Sequence, residues 1–515
     1  MSAPVPADSS TDTNTVSDTN TTDDDPLDTP QILDVVGIGF GPSNLALAIA
    51  IEEHNDQVAH DKAQRPLTAT FLERQGCFGW HRGMLLDDAT MQVSFLKDLV
   101  TMRNPCSDFS FLAYLQSRGR LVEFINHKIL FPLRIEFHDY LEWAAERVGH
   151  AVAYDQRVVE VEPVGAGGQV VAFDVVSEDA VGVRRVHRAR NVAVAVGLMP
   201  SLPFGATLSG RVWHNLDLLP RAEAFPRRPE PRRFVVVGAG QSAAEAVAYL
   251  HAEFPTAEVC SVFSRYGYAP SDDTPFANRI FDPQAVDVYF DADDDVKRML
   301  FDYHRNTNYS VVDAELIEEL YQREYRERVL GNRRLRMMNA SRVIGVDETG
   351  DDTGGGLRVS VESLPSGRVE ELDADALVYA TGYQPTDALR LLGGAGELVE
   401  RRHDGTPVVH RDYRLGLERP GEAAIYVQGG TEHSHGISSS LLSNVAVRTG
   451  EIVTSIATRT AGLHPAPRPS ATATGPTGET RISSALGLVP PAGDGDSAGE
   501  VTRRWVSTAG APARS

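Results

Sequence analysis

Twice along this chain an apolar run ends in closely spaced glycines and passes straight into a helical pattern. The first is Ile32-Leu-Asp-Val-Val-Gly-Ile-Gly-Phe-Gly-Pro-Ser-Asn-Leu-Ala46, with helical spacing through Ile51. The second is Phe234-Val-Val-Val-Gly-Ala-Gly-Gln-Ser-Ala-Ala-Glu245, with helical spacing to Leu250. Each reads as strand, tight turn, helix. At 515 residues the chain exceeds what one hydrophobic core serves, so two or three domains are expected. The duplicated unit makes the fold class α/β, with two Rossmann-like dinucleotide-binding domains.

The turns carry chemistry. Gly37, Gly39 and Gly41 allow a sharp bend and a close approach of backbone to a pyrophosphate, which rests on the positive helix end. Pro42 stands where the general fingerprint has a third glycine, and proline is tolerated in a first helical turn. The next strand, Leu67 to Leu72, ends in Glu73, an acid suited to ribose hydroxyls, with Asn55 to Pro66 read as a loop. In the second turn, Gly238-x-Gly240-x-x-Ala243, the following strand runs Val259 to Phe263 and ends in Ser264-Arg265 without a carboxylate. An acid there would repel a 2′-phosphate and an arginine suits it, which favours NADPH over NADH. The same arginine can also be no more than a solvated surface charge. A third apolar strand, Ala376 to Ala380, runs into Thr381-Gly382-Tyr383, and about Phe276 to Leu335 is mostly helical in pattern.

Composition removes other classes. A net charge of −22 argues against nucleic acid or an anionic membrane surface as partner. Cys77, Cys106 and Cys260 lie too far apart for a redox or zinc motif and read as small core residues in a reducing cytoplasm. No segment reaches the roughly 20 apolar residues of a membrane span, and the N-terminus lacks a signal-peptide pattern, so a cytoplasmic protein is expected. Residues 1–30 form a polar, acidic tail, and residues 461–515 are rich in Ala, Pro, Gly, Ser and Thr; both read as disordered. Two dinucleotide folds without a cysteine pair suggest electrons passing from NADPH to a flavin, then to oxygen or a small organic molecule.

Several linked segments are more specific. They include Phe71-Leu-Glu-Arg74, Trp80-His81, Met91-Gln-Val-Ser-Phe-Leu-Lys-Asp-Leu99 and Phe131-Pro-Leu-Arg-Ile-Glu-Phe-His-Asp-Tyr-Leu-Glu-Trp143. Further on come Asp273-Thr-Pro-Phe-Ala-Asn278, His304-Arg-Asn-Thr-Asn-Tyr-Ser310, Ala380-Thr-Gly-Tyr383 and Gly429-Gly-Thr-Glu-His-Ser-His-Gly-Ile-Ser-Ser-Ser-Leu-Leu-Ser443. From about Asp34 to Ala457 the chain resembles the microbial N-hydroxylating flavoprotein monooxygenases, and among them the L-ornithine N5-monooxygenases of siderophore biosynthesis.

The resemblance implies an FAD domain with the NADPH domain inserted into it and a small helical substrate region. The corresponding boundaries are 31–212 for the first part of the FAD domain, 213–345 for the NADPH domain with the helical region, and 346–460 for the return. It implies FAD, NADPH, O2 and a small amine substrate, a C4a-hydroperoxyflavin as oxygen donor, and a homo-oligomer, a tetramer by likeness. By carry-over, Lys97 pairs with the substrate carboxylate, Asn278 and Asn308 hold its α-amino and carboxylate ends, and Ser440 lies beside amine and flavin. Gln92 neighbours the flavin ring, and Gln92, Asn308 and Ser440 make the catalytic set. Glu73, Trp80 and His81 lie along the FAD stretch, Gln241, Ser242 and Arg265 grip NADPH, and Thr381 and Gly382 mark the return to the flavin. His433 and His435 lack the carboxylate or cysteine motif of a metal site.

Lysine differs from ornithine by one methylene, and diamines lack the carboxylate that Lys97 would bind, so both stay open as substrates. A carbon- or sulfur-directed flavin monooxygenase stays open too, since Leu208-Ser-Gly-Arg-Val-Trp-His214 faintly matches that signature. A non-catalytic redox-sensing flavoprotein is the third reading.

Overall fold

The computed structural model describes residues 32–59, 65–304, 307, 309–350 and 355–463. Residues 1–30, Asn308 and residues 464–515 lie outside the described residues, while residues 461–463, expected in the tail, finish the helix Val445–Leu463.

The first apolar run becomes the strand Leu33–Ile38, flanked by parallel strands Ala69–Leu72 and Arg184–Val194. Four more strands complete a seven-stranded sheet. Val152–Ala153 and Ala424–Val427 add in parallel, while Gln169–Glu178 and Arg157–Ala166 form an antiparallel edge. The helix Pro42–Val58 starts at the glycine turn and is apolar around most of its girth through Ile51. It lies between the sheet and the last helix, Val445–Leu463, so no face of that half meets solvent. Fully burying Leu45, Leu47 and Ile49 contributes about 1.5–3 kcal/mol each. The helix runs past Asn55, where a loop was expected, because the Asn55 amide clasps the backbone of Leu67 (2.8 and 3.0 Å) and fastens the last turn to the chain entering the next strand.

The second run becomes Arg233–Val237, and its sheet is parallel throughout, in the order Leu335–Met338, Glu258–Val262, Arg233–Val237, Ala376–Tyr379, Val212–His214. Residues 376–379 therefore belong to the second fold, and the boundary expected at 345 moves beyond 379. The apolar tetrad Ala-Leu-Val-Tyr is fully buried, as a strand flanked on both sides must be. An antiparallel trio, Ser341–Thr349, Gly356–Ser363 and Val369–Ala374, covers one face of this sheet through Leu357, Val359 and Leu372. The helix Gln241–Glu253 covers the other face, together with Ala314–Leu330.

The second fold is inserted in the first. Its entering and leaving strands, Leu198–Pro200 and Tyr383–Pro385, pair antiparallel with Pro200 opposite Tyr383. The segment between the second-fold strands is helical as expected, in a turn at Ala277–Phe281 and helices Pro283–Asp291, Asp294–His304 and Ala314–Leu330. Cysteines depart from expectation. Cys260 is buried in a strand, but Cys77 and Cys106 are exposed, because both fall in irregular segments that neither sheet covers. Among the described residues no helix is long and apolar enough to cross a membrane.

Candidate active site

The first glycine turn is held from behind. Gly39 has φ +82°, and a Cβ there would come 2.6 Å from the carbonyl oxygen of Ala195, so a side chain meets both backbone strain and backbone atoms. Gly37 is packed on Phe71, Gly41 is open on its outer side, and Pro42 occupies the first helical turn. Glu73 sits at the end of its strand, 6% exposed. Its carboxylate accepts from Phe40 N (2.7 Å) and Gln75 N (2.9 Å), so it braces the glycine turn. Asn44 donates to the carbonyls of Gly39, Ile38 and Ala193 and accepts from Gln428 (2.9 Å).

The Ser-rich turn near the end of the fold closes over this region. Thr431 Oγ1, Ser439 Oγ, Ser440 Oγ and both polar side-chain atoms of Asn444 are buried with no hydrogen-bond partner among the described residues. Natural proteins leave few such groups unsatisfied, because each costs about 1–3 kcal/mol. A cluster of them beside a pyrophosphate cradle fits a large polar ligand such as FAD. His433 and His435 spend ring nitrogens on the carbonyls of Pro407 and Arg411.

Trp80 and His81 follow the brace. The Trp80 ring meets His81 edge-on at 4.7 Å and packs on Phe137. His81 adopts a left-handed backbone at φ 51°. Burial and the neighbouring Arg134 push its pKa down to about 4, so the ring is neutral at physiological pH.

In the second cradle Gly238 has φ +148°, and a Cβ would lie 2.2 Å from the Ala380 carbonyl oxygen; Gly240 faces Ser310. Gln241 and Ser242 form the first turn of the following helix, half-buried. Arg265 is exposed beyond the strand Glu258–Val262 and donates to the Ser310 carbonyl (2.7 Å). Thr381 and Gly382 are tied into the crossing between folds. The Thr381 hydroxyl donates to Ser201 O (2.5 Å), and the Gly382 carbonyl accepts from Ser201 N (3.0 Å).

One acid that the sequence reading missed joins the cradles. Asp313, at the start of the helix Ala314–Leu330, accepts from Gln92 Nε2 (2.7 Å) and Gln241 Nε2 (3.0 Å) through the same oxygen. Its backbone N–H donates to Gln241 Oε1 (2.9 Å). Burial raises its pKa. Nearby, Glu245 of the NADPH-side helix takes a bidentate pair from Arg134 at 2.7 and 2.9 Å, with both side chains largely buried.

The helical region brings the remaining residues together. Lys97 Nζ lies 5.6 Å from the centre of the Phe281 ring and forms no ion pair among the described residues. Burial lowers its pKa, with Asp282 opposing. Asn278 belongs to the same Ala277–Phe281 turn and donates to the Asp273 carbonyl (2.6 Å). That turn packs on Ile437–Ser440, which bears the unpartnered Ser440 hydroxyl.

Known proteins share this fold. The sequence profile described as L-lysine 6-monooxygenase/L-ornithine 5-monooxygenase matches residues 31–385. The L-ornithine N(5)-monooxygenase of Burkholderia cepacia is 42% identical over 411 residues, covering 79% of this chain and 90% of that protein. The ornithine N-hydroxylase of Kutzneria sp. 744, solved with reduced FAD, NADP+ and L-ornithine, is 46% identical at a TM-score of 0.78, over 84% of this chain and all of that one. The L-lysine 6-monooxygenase of Pseudomonas syringae is 32% identical at a TM-score of 0.71, over 83% of this chain and 99% of that one. Two nucleotide cradles, an insertion through paired strands and this breadth of likeness have one conclusion: the chain belongs to the L-lysine 6-monooxygenase/L-ornithine 5-monooxygenase family.

Proposed function

We propose that this chain is an FAD- and NADPH-dependent L-ornithine N5-monooxygenase, converting L-ornithine, O2, NADPH and a proton into N5-hydroxyornithine, water and NADP+. The observation that carries the substrate reading is Lys97. Its ammonium is partly buried without an ion pair among the described residues, in the neighbourhood of Asn278 and of the turn that bears Ser440. An α-amino acid brings the missing carboxylate, and a charge-assisted hydrogen bond to it contributes about 1.5–3 kcal/mol.

In this reading Gly37, Gly39, Gly41, Pro42, Glu73, Trp80 and His81 hold FAD, with Gln92 near its ring. Gly238, Gly240, Gln241, Ser242 and Arg265 hold NADPH. When bound, FAD would supply the redox chemistry, as acceptor of hydride from NADPH and as the means of activating O2 toward the amine. A free alkyl ammonium has a pKa of about 10.4, and only its neutral form is nucleophilic. An uncharged acceptor at the reacting end, Ser440 Oγ, would orient the amine without favouring its protonated form. The neutral ring of His81 likewise adds no charge.

Ornithine is preferred to lysine because the relatives at 42% and 46% identity are named for ornithine. One methylene is worth only about 1–3 kcal/mol in a pocket, so the choice is quantitative. The proposal includes a cytoplasmic homotetramer, for which the exposed apolar residues Val122, Ile125 and Leu130 offer contact surface.

The test is a substrate panel of ornithine, lysine and putrescine with NADPH and O2, scored as hydroxylamine formed per NADPH consumed. Efficient hydroxylation of ornithine supports the reading, and a preference for lysine reassigns the substrate. NADPH oxidation with no hydroxylated amine anywhere in the panel removes it. Light scattering and cell fractionation test the assembly and the compartment.

A further inference from the structure

The last helix, Val445–Leu463, turns Val445, Ile452, Val453 and Ile456 into the core of the first fold, and Arg448 stands in the same stripe. Arg448 is 2% exposed. Its Nη2 donates to Ser43 Oγ (3.1 Å), its Nη1 to the Ser439 carbonyl, and its Nε to Gln428 Oε1 (3.4 Å). None of these acceptors is charged, and among the described residues no carboxylate forms an ion pair with it. Glu451, one turn along the same helix, is engaged at both oxygens by Arg411 (2.8 and 3.0 Å). Burial lowers the Arg448 pKa, opposed by Tyr413 and Glu451. A guanidinium buried without a counter-charge is costly in any fold.

Its partners point to where the missing anion belongs. Ser43 is in the first turn of the helix Pro42–Val58, whose N-terminus is the pyrophosphate cradle. Gln428 carries the contact to Asn44, and Asn44 holds the Gly39 carbonyl (2.7 Å). Ser439 precedes Ser440, so the same guanidinium grips the turn assigned to the substrate amine.

We propose that Arg448 is the buried counter-charge of the FAD pyrophosphate, acting through the Ser43 hydroxyl, and that it ties the phosphate cradle to the turn bearing Ser440. The proposal rests on the FAD-dependent reading above. Arg448 is a positioning residue, since Ser43 stands between it and the phosphates. Two phosphate charges at the helix start compensate a cation that the described residues leave unpaired. Loading the cofactor then also orders the Ser440 turn.

The experiment compares full-length wild type, R448Q, R448K and S43A by two measurements. One is FAD affinity, from the flavin fluorescence released when holoenzyme is diluted. The other is the thermal midpoint of the same chains stripped of FAD. R448Q should lose about tenfold to a hundredfold in FAD affinity, the range of a charge-assisted hydrogen bond. R448K, which keeps the charge, should recover much of that loss. The stripped R448Q chain should melt no lower than the stripped wild type, because an unpaired buried charge is gone. ADP, which carries both phosphates and no flavin, should lose affinity for R448Q by a similar factor. FAD affinity in R448Q within twofold of wild type overturns the proposal. So does a parallel fall of affinity and stripped-chain midpoint with R448K no better than R448Q, which marks a purely structural arginine. If R448Q does not accumulate, S43A decides: weakened FAD binding with an unchanged midpoint supports the relay, and wild-type affinity overturns it. A wild-type chain that binds no FAD is a different result and removes the reading beneath the proposal.

Discussion

Both glycine turns have buried charge nearby, Glu73 and Arg448 at the first and Glu245 at the second, but only the second has a strand beside it that leads to an arginine in solvent, Arg265. Both turns use a glycine that no other residue replaces comfortably, Gly39 against Ala195 and Gly238 against Ala380. The backbone plan is therefore shared and the surroundings are not. A ligand seated among buried partners leaves only when those partners give up their contacts, which suits a cofactor retained through many cycles. A ligand held by an exposed arginine, as proposed for NADPH on Arg265, would come and go once per cycle, as a consumed coenzyme must.

That contrast is broken most severely at the two glycines. Gly39→Ala should yield protein that retains essentially no FAD, since a left-handed backbone and a 2.6 Å approach to a carbonyl both oppose the new methyl. Gly238→Ala should leave the protein yellow but poorly reducible by NADPH. Absorbance at flavin wavelengths and anaerobic reduction separate the two, and loss of FAD from Gly238→Ala would mean that the folds are not independent.

Arg265→Ala should raise the KM for NADPH by about tenfold to a hundredfold, from a lost contact of about 1.5–3 kcal/mol, and leave NADH nearly unaffected. Equal effects on the two coenzymes would assign Arg265 to the fold, through its hold on Ser310, and not to a 2′-phosphate. Lys97→Ala tests whether the substrate site is separable from both cradles. Ornithine should bind about tenfold more weakly, at the low end of the same range, with flavin reduction by NADPH unchanged and putrescine little affected.

The smallest effect is on the pH axis. His81 is held at about 4, below the ordinary 6.5, by burial and Arg134. Between those values the unfolded chain binds a proton that the folded chain refuses, so stability is full above pH 6.5 and declines as pH falls toward 4. His81→Gln should make that decline shallower in urea unfolding at pH 5 and 7.5, though not flat, because burial holds His435 at about 4 as well. Parallel declines in variant and wild type would show that His81 protonates freely in the folded protein.

Legibility in the sequence followed the range of the interactions. Strand, turn and helix over residues 33–51 and 234–250 are set by neighbours in the chain, so periodicity and glycine spacing revealed them. Asp313 was invisible because its partners, Gln92 and Gln241, lie 221 and 72 residues away. Arg448 did leave a signal, a charge inside the stripe of Val445, Ile452 and Ile456, but a single charge in an apolar pattern does not say what neutralises it. The edge of the second fold was misplaced because Ala376–Tyr379 reads as a buried strand whichever sheet receives it.

The pairing of Leu198–Pro200 with Tyr383–Pro385 brings the two ends of a long insertion side by side, with Pro200 facing Tyr383 across one ladder. A segment that enters and leaves at adjacent points can be gained, lost or exchanged in a single genetic event without unravelling its host. It follows that a gene lacking residues 201–382, rejoined by a two-residue hairpin turn, encodes a chain in which every strand of the first sheet remains.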